Sequence, residues 1–440
     1  MSPAARYDAS VDIDRLPAFL NDIPPASGLT ALVGGKLLDA DGSATILIGD
    51  GRIEAVAAPG DGLPDGARVV DIAGLTVLPG LIDAHIHVSM LGDAGRGPSP
   101  AKGAEPIRAG VEAHLVGRTL RELLGFGVTT IRDVGAHGDV LLDARQAVRY
   151  GAFPAPRMLL SGRIVSATAP GSRFFPEMYR EADGPDDVRR AVREQIRAGA
   201  DFVKVMSTGA RSVELENPGP AQVTAAEMAA FVEEAHRQTY RTAAHCEGLA
   251  GTELAIAAGI DTVEHGFHLH ERPDLLARMA DQGIVLVPTL DFLHHVVESE
   301  EWTAELERQG VANLDHAQRT LDAARAAGVT IAAGSDGVTA DGVARELSRL
   351  VEHGMSARDA LIAATRGGAT ALGIEAAVGS VRAGLVADLV VLDGDPATDI
   401  GLLAQADRIR LVLHNGREVG GSMATRGSVA TPGPVQLGRA

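Results

Sequence analysis

Through the middle of the chain, short apolar runs alternate with longer segments whose apolar positions recur at helical spacing. Runs of this length, bounded by Gly, Pro or polar residues, predict strands buried in a parallel sheet. Eight such runs occur, at residues 81–87, 128–133, 158–165, 202–206, 242–245, 262–265, 284–288 and 329–333. Eight strand–helix units favour a closed (β/α)8 barrel of the TIM type over an open doubly wound sheet. The glycine fingerprint of a dinucleotide-binding sheet is not found in the required strand-to-helix context.

The segments between the runs each place their apolar residues on one face, as crossover helices do. Two of them end just before a glycine, which is a common helix end. Their apolar positions are Val188, Ala191, Val192 and Ile196 before Gly199, and Leu314, Ala317, Leu321 and Ala324 before Gly328. Both segments are therefore predicted to be helices that pack on the barrel.

The two ends of the chain have a different pattern, with short alternating or apolar runs broken by Asp-Gly and Pro-Gly pairs. Residues 32–78, 387–393 and 408–414 share this pattern, and Asn415-Gly416 is a strong hairpin signal. We predict that the two ends form one small β-sandwich. The predicted organisation is an N-terminal extension (1–28), a composite sandwich (29–78 with 375–421), the barrel (79–374) and a flexible tail (422–440), with a Gly- and Pro-rich loop at 90–106 in the position of a lid.

Composition narrows the choice of partners. The chain has 440 residues, 45% of them apolar and only 3% aromatic, which suits an α/β interior of small and branched side chains. A formal charge of −18 argues against nucleic acid and anionic membranes. The single cysteine, Cys246, excludes an intrachain disulfide, and we expect neither a signal peptide nor a membrane-spanning run. We expect a cytoplasmic homo-oligomer that acts on a small molecule.

A His-x-His pair ends the first predicted strand. Side chains two apart on a strand point to the same side, so His85 and His87 present two imidazoles together, as a divalent metal requires. Four more residues with metal-ligand or catalytic chemistry follow later strands: Lys204, His245, His265 and Asp336. The carboxyl ends of barrel strands converge on one mouth, so these six residues are predicted to share a site.

Each of these residues also has a simpler interpretation when it is taken alone. A single strand-end histidine is more often a hydrogen-bonded structural residue than a ligand. Lys204 could contact a phosphate or form a Schiff base, and Asp336 could be a turn former or a helix cap. Six suitable residues on the matching strand ends are much harder to explain separately, which favours the shared metal site.

With these residues in place, the chain resembles metal-dependent hydrolases of the amidohydrolase superfamily, and its pattern is nearest the imidazolonepropionase-like and Xaa-Pro-dipeptidase-like branch. The resemblance covers roughly residues 32–419. The matching motifs are residues 79–87, 202–209 around Lys204, His245, 263–266, 334–336 and 379–392.

The resemblance implies two divalent metal ions and a Lys204 carboxylated by carbon dioxide. A carbamate is an anion that can bridge two cations, whereas a free lysine would be a competing cation. His85, His87 and Asp336 would hold one metal and His245 and His265 the other. Zinc suits these donors, and manganese, cobalt or nickel would also bind such a set.

The implied reaction is hydrolysis of an amide-type C–N bond in a dipeptide, an N-acyl amino acid or an aryl amide. A hydroxide bridging the metals would attack the carbonyl, with Asp336 acting first as general base and then as general acid. Carbamates, ureas, esters and lactones are alternative substrates of the same chemistry. A mononuclear deaminase would instead carry Glu three residues after His245, where this chain has Gly248, and a non-catalytic scaffold would be expected to lose ligands.

Four residues are candidates for substrate binding: His137, Arg173, Glu247 and Phe292. Dipeptidase-like relatives often carry Tyr or His two residues after the fifth-strand ligand, where this chain has Glu247. Glu247 is expected either to accept a substrate N–H or to pair with Arg173, and His137 either faces the substrate or caps a loop. Cys246 is predicted to be core filling, because it points away from its neighbouring ligand.

Overall fold

The barrel predicted from the sequence is present in the computed structural model, which describes residues 24–38, 42–58, 62–90, 108–175, 177–210, 215–298, 304–337 and 339–423. Of the predicted segments, most of 1–28, of 90–106 and of 422–440 lies outside these residues. The barrel strands are β6 (Leu81–Ile86), β7 (Val128–Asp133), β8 (Arg157–Leu160), β9 (Ile164–Ser166), β10 (Tyr179–Glu181), β11 (Phe202–Met206), β12 (Arg241–Cys246), β13 (Thr262–His265) and β14 (Val285–Val287). Neighbouring barrel strands pair in parallel, as repeated strand–helix units require.

The third predicted strand, 158–165, is two strands in the structure. β8 pairs with β7 on one side, and β9 pairs with β11 and the short β10 on the other. Between them Gly162 takes φ +68°, and side chains replace the ladder: Asp201 accepts from Leu160 N at 2.8 Å and Gln195 accepts from Arg163 N at 2.9 Å. The break turns the chain so that the two halves serve different neighbours.

The eighth predicted strand, 329–333, makes only an isolated bridge, between Ile331 and Leu286. It nevertheless links both neighbours, because Leu286 N donates to Thr330 O at 3.0 Å and Ala84 N donates to Ala333 O at 2.9 Å. Ala333 N donates instead to Ala363 O at 3.0 Å, in the helical segment that follows. This segment therefore bridges β14 and β6 without forming a regular ladder.

The helices surround the strands and follow the predicted faces. In Pro185–Ala198, Val188, Ala191 and Val192 are buried and the helix ends at Gly199, which takes φ +107°. The described helices are Ala109–Gly125, Val140–Arg149, Gly171–Phe174, Pro185–Ala198, Ala225–Arg237, Leu249–Ala258, Pro273–Gln282, Leu290–Glu298, Ala304–Ala326, Gly342–Glu352, Ala357–Ile362 and Gly368–Leu372, with short 3-10 turns at Val88–Met90, Leu269–Glu271, Ile400–Ala404 and Ala406–Arg408 and a π turn at Ala363–Gly367. Among them, none combines the length and the apolar character that a membrane span needs.

Strands from both chain ends come together, as predicted, and the predicted β-sandwich takes the form of one further sheet. Its members are β1 (Leu29–Leu37), β2 (Ser43–Gly49), β3 (Arg52–Ala57), β4 (Arg68–Asp71), β5 (Thr76–Pro79), β15 (Leu389–Leu392), β16 (Ile409–His414) and β17 (Arg417–Gly420). The strand order is β17-β16-β15-β5-β1-β2-β3, with β4 also on β1, so all eight strands belong to one hydrogen-bonded sheet. Antiparallel pairing of β5 with β15 joins the two ends directly.

A buried ion pair connects this sheet to the barrel. Arg157 on β8 donates to Asp388 Oδ2 at 2.6 Å and to Thr130 Oγ1 at 2.8 Å, and both charged side chains are almost fully buried. The other carboxylate oxygen of Asp388 accepts from Asn415 N at 2.8 Å. Because a buried charge is costly without its partner, this pair fixes the barrel against the sheet.

Replacing Asp388 with Asn should destabilise the protein, because the Arg157 charge would be left buried without a counterion. We expect a loss of about 3–5 kcal/mol in the free energy of unfolding, measured by denaturant titration. Asp395→Asn is the matched control: its partner Lys36 is half-exposed, and such pairs contribute less than about 1 kcal/mol. Equal effects of the two substitutions would contradict this role of the buried pair.

Candidate metal centre

The six strand-end residues singled out in the sequence line a single cavity at the carboxyl ends of the barrel strands. His85, His87, Lys204, His245, His265 and Asp336 all contribute to its wall. The four imidazoles form a connected series, with ring centroids 5.4 Å apart for His85 and His87, 5.1 Å for His85 and His265, and 4.5 Å for His245 and His265. The structure thus brings together residues from β6, β11, β12, β13 and the segment after 329–333.

Asp336 lies against the His-x-His pair. Its Oδ1 atom is 3.2 Å from His85 Nε2 and 3.5 Å from His87 Nε2, and the three side chains offer ligand atoms within 4.8 Å of one another. Burial alone would raise the pKa of Asp336, but the two histidines and Lys204 outweigh it and lower that pKa. Asp336 is therefore an anion facing two imidazole nitrogens, an arrangement that can hold a divalent cation.

The outward-facing ring nitrogens are fixed by protein oxygens. His85 Nδ1 lies 2.7 Å from Glu264 Oε2, His87 Nδ1 lies 2.7 Å from the Gly135 carbonyl oxygen, and His265 Nδ1 lies 2.7 Å from Thr289 Oγ1. Metal-binding histidines almost always have such a partner, because it orients the ring and sets the tautomer. Because three of the four histidines have such a partner, these residues are suited to binding a metal ion.

Glu264 is the centre of a buried network beneath the cavity. Besides His85, its carboxylate accepts from Arg132 Nη2 at 2.8 Å and from the Thr262 hydroxyl. Burial raises the pKa of a carboxyl group, yet the charges of Arg132 and Lys204 and the contact with His85 hold the pKa of Glu264 well below its usual range. Glu264 is therefore ionised. Sequence reasoning assigned no role to Glu264 or Arg132, although two opposite charges inside apolar strands were the available signal.

Two more buried carboxyl groups hold the strand ends that carry the histidines. Asp83 accepts from Ser335 Oγ at 2.6 Å and from Ser335 N at 3.0 Å, which ties β6 to the residue before Asp336. Asp133 accepts from Val88 N at 2.8 Å and from Gly135 N at 3.1 Å. Both link the first strand to a neighbouring mouth segment, and both were missed because a turn-forming Asp looks the same in sequence.

Lys204 reaches the cavity from the middle of β11 and is almost completely buried. Burial lowers the pKa of Lys204 to about 8, against the opposing attraction of Glu264 and Asp336. Near neutral pH, Lys204 is therefore a neutral, nucleophilic amine in a larger fraction of molecules than an exposed lysine would be.

The backbone around the mouth is unusually constrained. His265, Thr289 and Asp336 all take positive φ values, of 68°, 52° and 52°, which cost non-glycine residues free energy. Gly334 is required for a different reason, because an added Cβ would lie 2.5 Å from His85 Cβ and 2.6 Å from a methyl carbon of Val287. Backbone strain at the barrel mouth is thus found at two proposed metal ligands, His265 and Asp336, and at Thr289, the hydrogen-bond partner of His265.

The four predicted substrate-binding residues divide into two pairs. Glu247 and Phe292 line the cavity, and Glu247 Oε1 is 3.3 Å from His245 Nε2. His137 and Arg173 are not among the described cavity residues: His137 Nδ1 lies 3.0 Å from Glu112 Oε1, and Arg173 is exposed on a short helix. A substrate role for these two stays a prediction.

Cys246 is buried, and burial raises the pKa of its thiol to about 12, as suits core filling.

Much of the cavity wall is apolar, and most of that wall could not be foreseen from sequence. The apolar lining residues are Met90, Ile164, Phe175, Met178, Met206, Ala210, Phe267, Phe292 and Leu293. Tyr179 also lines the cavity, and burial, followed by the charges of Glu216 and Asp336, raises the pKa of its phenol. Tyr179 belongs to β10, in a stretch that reads as loop, so no periodic signal marks it.

Comparison with known proteins gives consistent matches along the chain. The amidohydrolase family profile matches residues 76–419. Ochratoxinase from Aspergillus niger is 29% identical over 445 residues, covering 93% of this chain and 90% of that protein. Imidazolonepropionase from Salinispora arenicola is 26% identical over 406 residues, covering 85% of this chain and 92% of that protein.

Solved structures match the whole architecture. The crystal structure of A. niger ochratoxinase superimposes with a TM-score of 0.79 at 28% identity, covering 90% of this chain and 96% of that one. A Xaa-Pro dipeptidase structure gives a TM-score of 0.79 at 28% identity, covering 89% and 99%. These matches confirm the predicted barrel with its chain-end sheet and the predicted resemblance.

Replacing Glu264 with Gln tests the network beneath the cavity. The amide keeps the shape but removes the charge, so Arg132 loses its counterion and His85 loses its carboxylate acceptor. We expect the affinity for the metal to fall about 10- to 100-fold. Less metal should therefore remain after dialysis, as measured by elemental analysis.

Glu234→Gln is the matched control, because Glu234 is equally buried and paired with Arg193 and Arg237 on an outer helix. It should keep the metal content of the unsubstituted protein. Unchanged metal retention in Glu264→Gln would show that this carboxylate does not support the site.

Proposed function

The chain belongs to the amidohydrolase family and is a hydrolase that acts on carbon–nitrogen bonds, and we propose that it uses two divalent metal ions to cleave amides with an apolar or aromatic group next to the scissile bond. The observation that carries the proposal is the donor set at the barrel mouth, whose histidine rings are oriented by fixed outer partners.

One metal would be held by His85, His87 and Asp336, and the other by His245 and His265, with a carboxylated Lys204 shared between them. Zinc suits these donors, as manganese, cobalt and nickel would. Such ions supply Lewis-acid polarisation of a carbonyl group and a hydroxide nucleophile at neutral pH. His245 Nε2 lies 3.2 Å from the Gly209 carbonyl oxygen, which leaves Nδ1 as its nitrogen for a metal.

Residues of the chain would then carry out proton transfer, hold the metal ligands in position and donate hydrogen bonds. Asp336 accepts the proton of the attacking water at its carboxylate and delivers it to the departing nitrogen. Although burial opposes it, His85, His87 and Lys204 lower the pKa of Asp336, so its carboxylate is ionised before attack and has a free lone pair for the proton. Glu264, Asp83 and Asp133 hold the ligand-bearing strand ends in place. Tyr179, kept as a neutral phenol by its raised pKa, adds a hydrogen-bond donor to the wall.

The cavity wall supports an apolar amide over a dipeptide with a free carboxylate. With Lys204 proposed as a metal-bound carbamate, no Lys or Arg side chain remains among the described lining residues to pair with a substrate carboxylate. Glu247 is the lining carboxylate outside the proposed ligand set, and it can accept a substrate N–H. Phe175, Met178 and Phe292 offer an apolar surface for an aryl or acyl group.

The relatives are named for different substrates, ochratoxin for ochratoxinase and Xaa-Pro dipeptides for the dipeptidase in the structural match, so the substrate preference rests on the cavity wall and not on these names. Esters, lactones, carbamates and ureas remain substrates of the same chemistry to be tested beside amides. A small-molecule substrate fits this family, and the predicted homo-oligomer and cytoplasmic location stay predictions.

Removing the proton carrier or the shared ligand should abolish hydrolysis. We expect Asp336→Asn to lower kcat/KM for an N-aryl amide by about 10²–10⁴-fold, and Lys204→Ala to lower both activity and metal content. Lys36→Ala, on the chain-end sheet, is the control for the lysine substitution. Activity is measured with zinc- or manganese-loaded protein on amide, ester and ammonia-release panels.

Two results would contradict the proposal: hydrolysis by Asp336→Asn at the unsubstituted rate, or ammonia release from an aminoheterocycle as the main activity. The second result would identify a deaminase. Elemental analysis of the same samples distinguishes two ions per chain from one or none.

The substrate preference is tested at Glu247. We expect a higher kcat/KM for a neutral N-aryl amide than for a Xaa-Pro dipeptide, because Glu247 repels a free substrate carboxylate and no described lining Lys or Arg outside the ligand set pairs with it. Glu247→Gln should narrow this ratio by about tenfold, equivalent to about 1.4 kcal/mol of removed repulsion. Glu233→Gln, exposed on an outer helix, should leave the ratio unchanged. A dipeptide preference in the unsubstituted protein would overturn the substrate assignment.

A further inference from the structure

A second histidine-rich cluster lies outside the cavity, where the loop after β13 meets a long outer helix. His268 and Glu271 come from the turn that follows the β13 ligand His265, and His316 comes from the helix Ala304–Ala326. The three side chains offer one ligand atom each within 4.8 Å of one another. None of the three lines the proposed catalytic cavity.

The distances in this cluster are close to those between ligands of one metal ion. Glu271 Oε1 lies 3.1 Å from His268 Nδ1 and 3.6 Å from His316 Nδ1, and the two imidazole centroids are 4.1 Å apart. Two ligands at zinc bond lengths and a tetrahedral angle are separated by about 3.3 Å. The side chains would therefore need only small movements to share an ion.

One atom of the cluster also lacks a hydrogen bond. His316 Nδ1 is buried from solvent, and it has no hydrogen-bond partner among the described residues. Leaving a buried polar nitrogen without a partner is costly, and most such atoms in folded proteins are satisfied by a protein group, a water molecule or an ion. This nitrogen lies 3.6 Å from Glu271 Oε1, the same oxygen atom that lies 3.1 Å from His268 Nδ1.

We propose that His268, Glu271 and His316 bind a divalent transition metal ion, with zinc as the best match to two imidazoles and one carboxylate. Three protein ligands leave a further position for water. The simpler alternative is a partly exposed cluster held by ion pairs alone, as many surface carboxylates and histidines are.

An ion here would act as a clamp between the β13 loop and the outer helix. The helix already holds this loop through Thr320, whose hydroxyl donates to Phe267 O at 2.7 Å and accepts from His270 N at 3.1 Å. Phe267 lines the catalytic cavity and directly precedes His268. The clamp therefore connects the outer surface to one wall of the substrate cavity without sharing any ligand with the catalytic metals.

The test is zinc titration of the tag-free holoenzyme by calorimetry after dialysis, with catalytic metals retained. We expect one additional equivalent of zinc per chain in the unsubstituted protein, accompanied by a higher thermal unfolding midpoint. Both His316→Ala and Glu271→Gln should weaken this additional binding at least tenfold. Circular dichroism checks that each variant folds, and the partly exposed Glu271 decides the outcome if His316→Ala does not fold.

Two controls separate this site from the proposed catalytic centre. His114→Ala, exposed on the helix Ala109–Gly125, should keep the additional equivalent. Asp336→Asn should keep it too, even where it loses catalytic metal. The proposal is overturned if the unsubstituted protein takes up no additional zinc, or if Glu271→Gln binds it as tightly as the unsubstituted protein does.

Discussion

The barrel mouth depends on one buried carboxylate. Glu264 has no exposed surface, and it joins His85, at the end of the first barrel strand, to Arg132 on the second. Its charge can remain in the interior only because the guanidinium and the hydrogen-bond donors compensate it. The same contacts orient His85 towards Asp336. Glu264 thus contributes both to the stability of the barrel interior and to the alignment of the proposed metal ligands.

Sequence predicted the parts of this molecule that repeat. Strands buried on both faces and helices with one apolar face have periods that can be read locally, and this was enough to identify the barrel and the helix from Pro185 to Ala198. The six strand-end residues could be predicted to converge, because the geometry of a parallel barrel places strand ends together.

The remaining features depend on contacts between segments distant in sequence. The third predicted strand is divided because the side chains of Asp201 and Gln195, some 40 and 30 residues away, accept the hydrogen bonds of Leu160 N and Arg163 N. The place of Tyr179 in the cavity wall depends on a short strand in a region without periodicity. The separate positions of Glu247 and Arg173 likewise depend on loop conformation. Local patterns carry little information on any of these.

The pairing of β5 with β15 has a consequence for how the protein is made. Residues 76–79 pair with residues 389–392, so β5 lacks this partner while some 300 further residues are synthesised. At ordinary translation speeds of about 5–20 residues per second, that interval lasts about 15–60 s. Throughout it the edge of β5 lacks its neighbour and is open to wrong associations. The chain-end sheet is therefore completed late, after the barrel segments that lie between its two halves in the sequence have been synthesised.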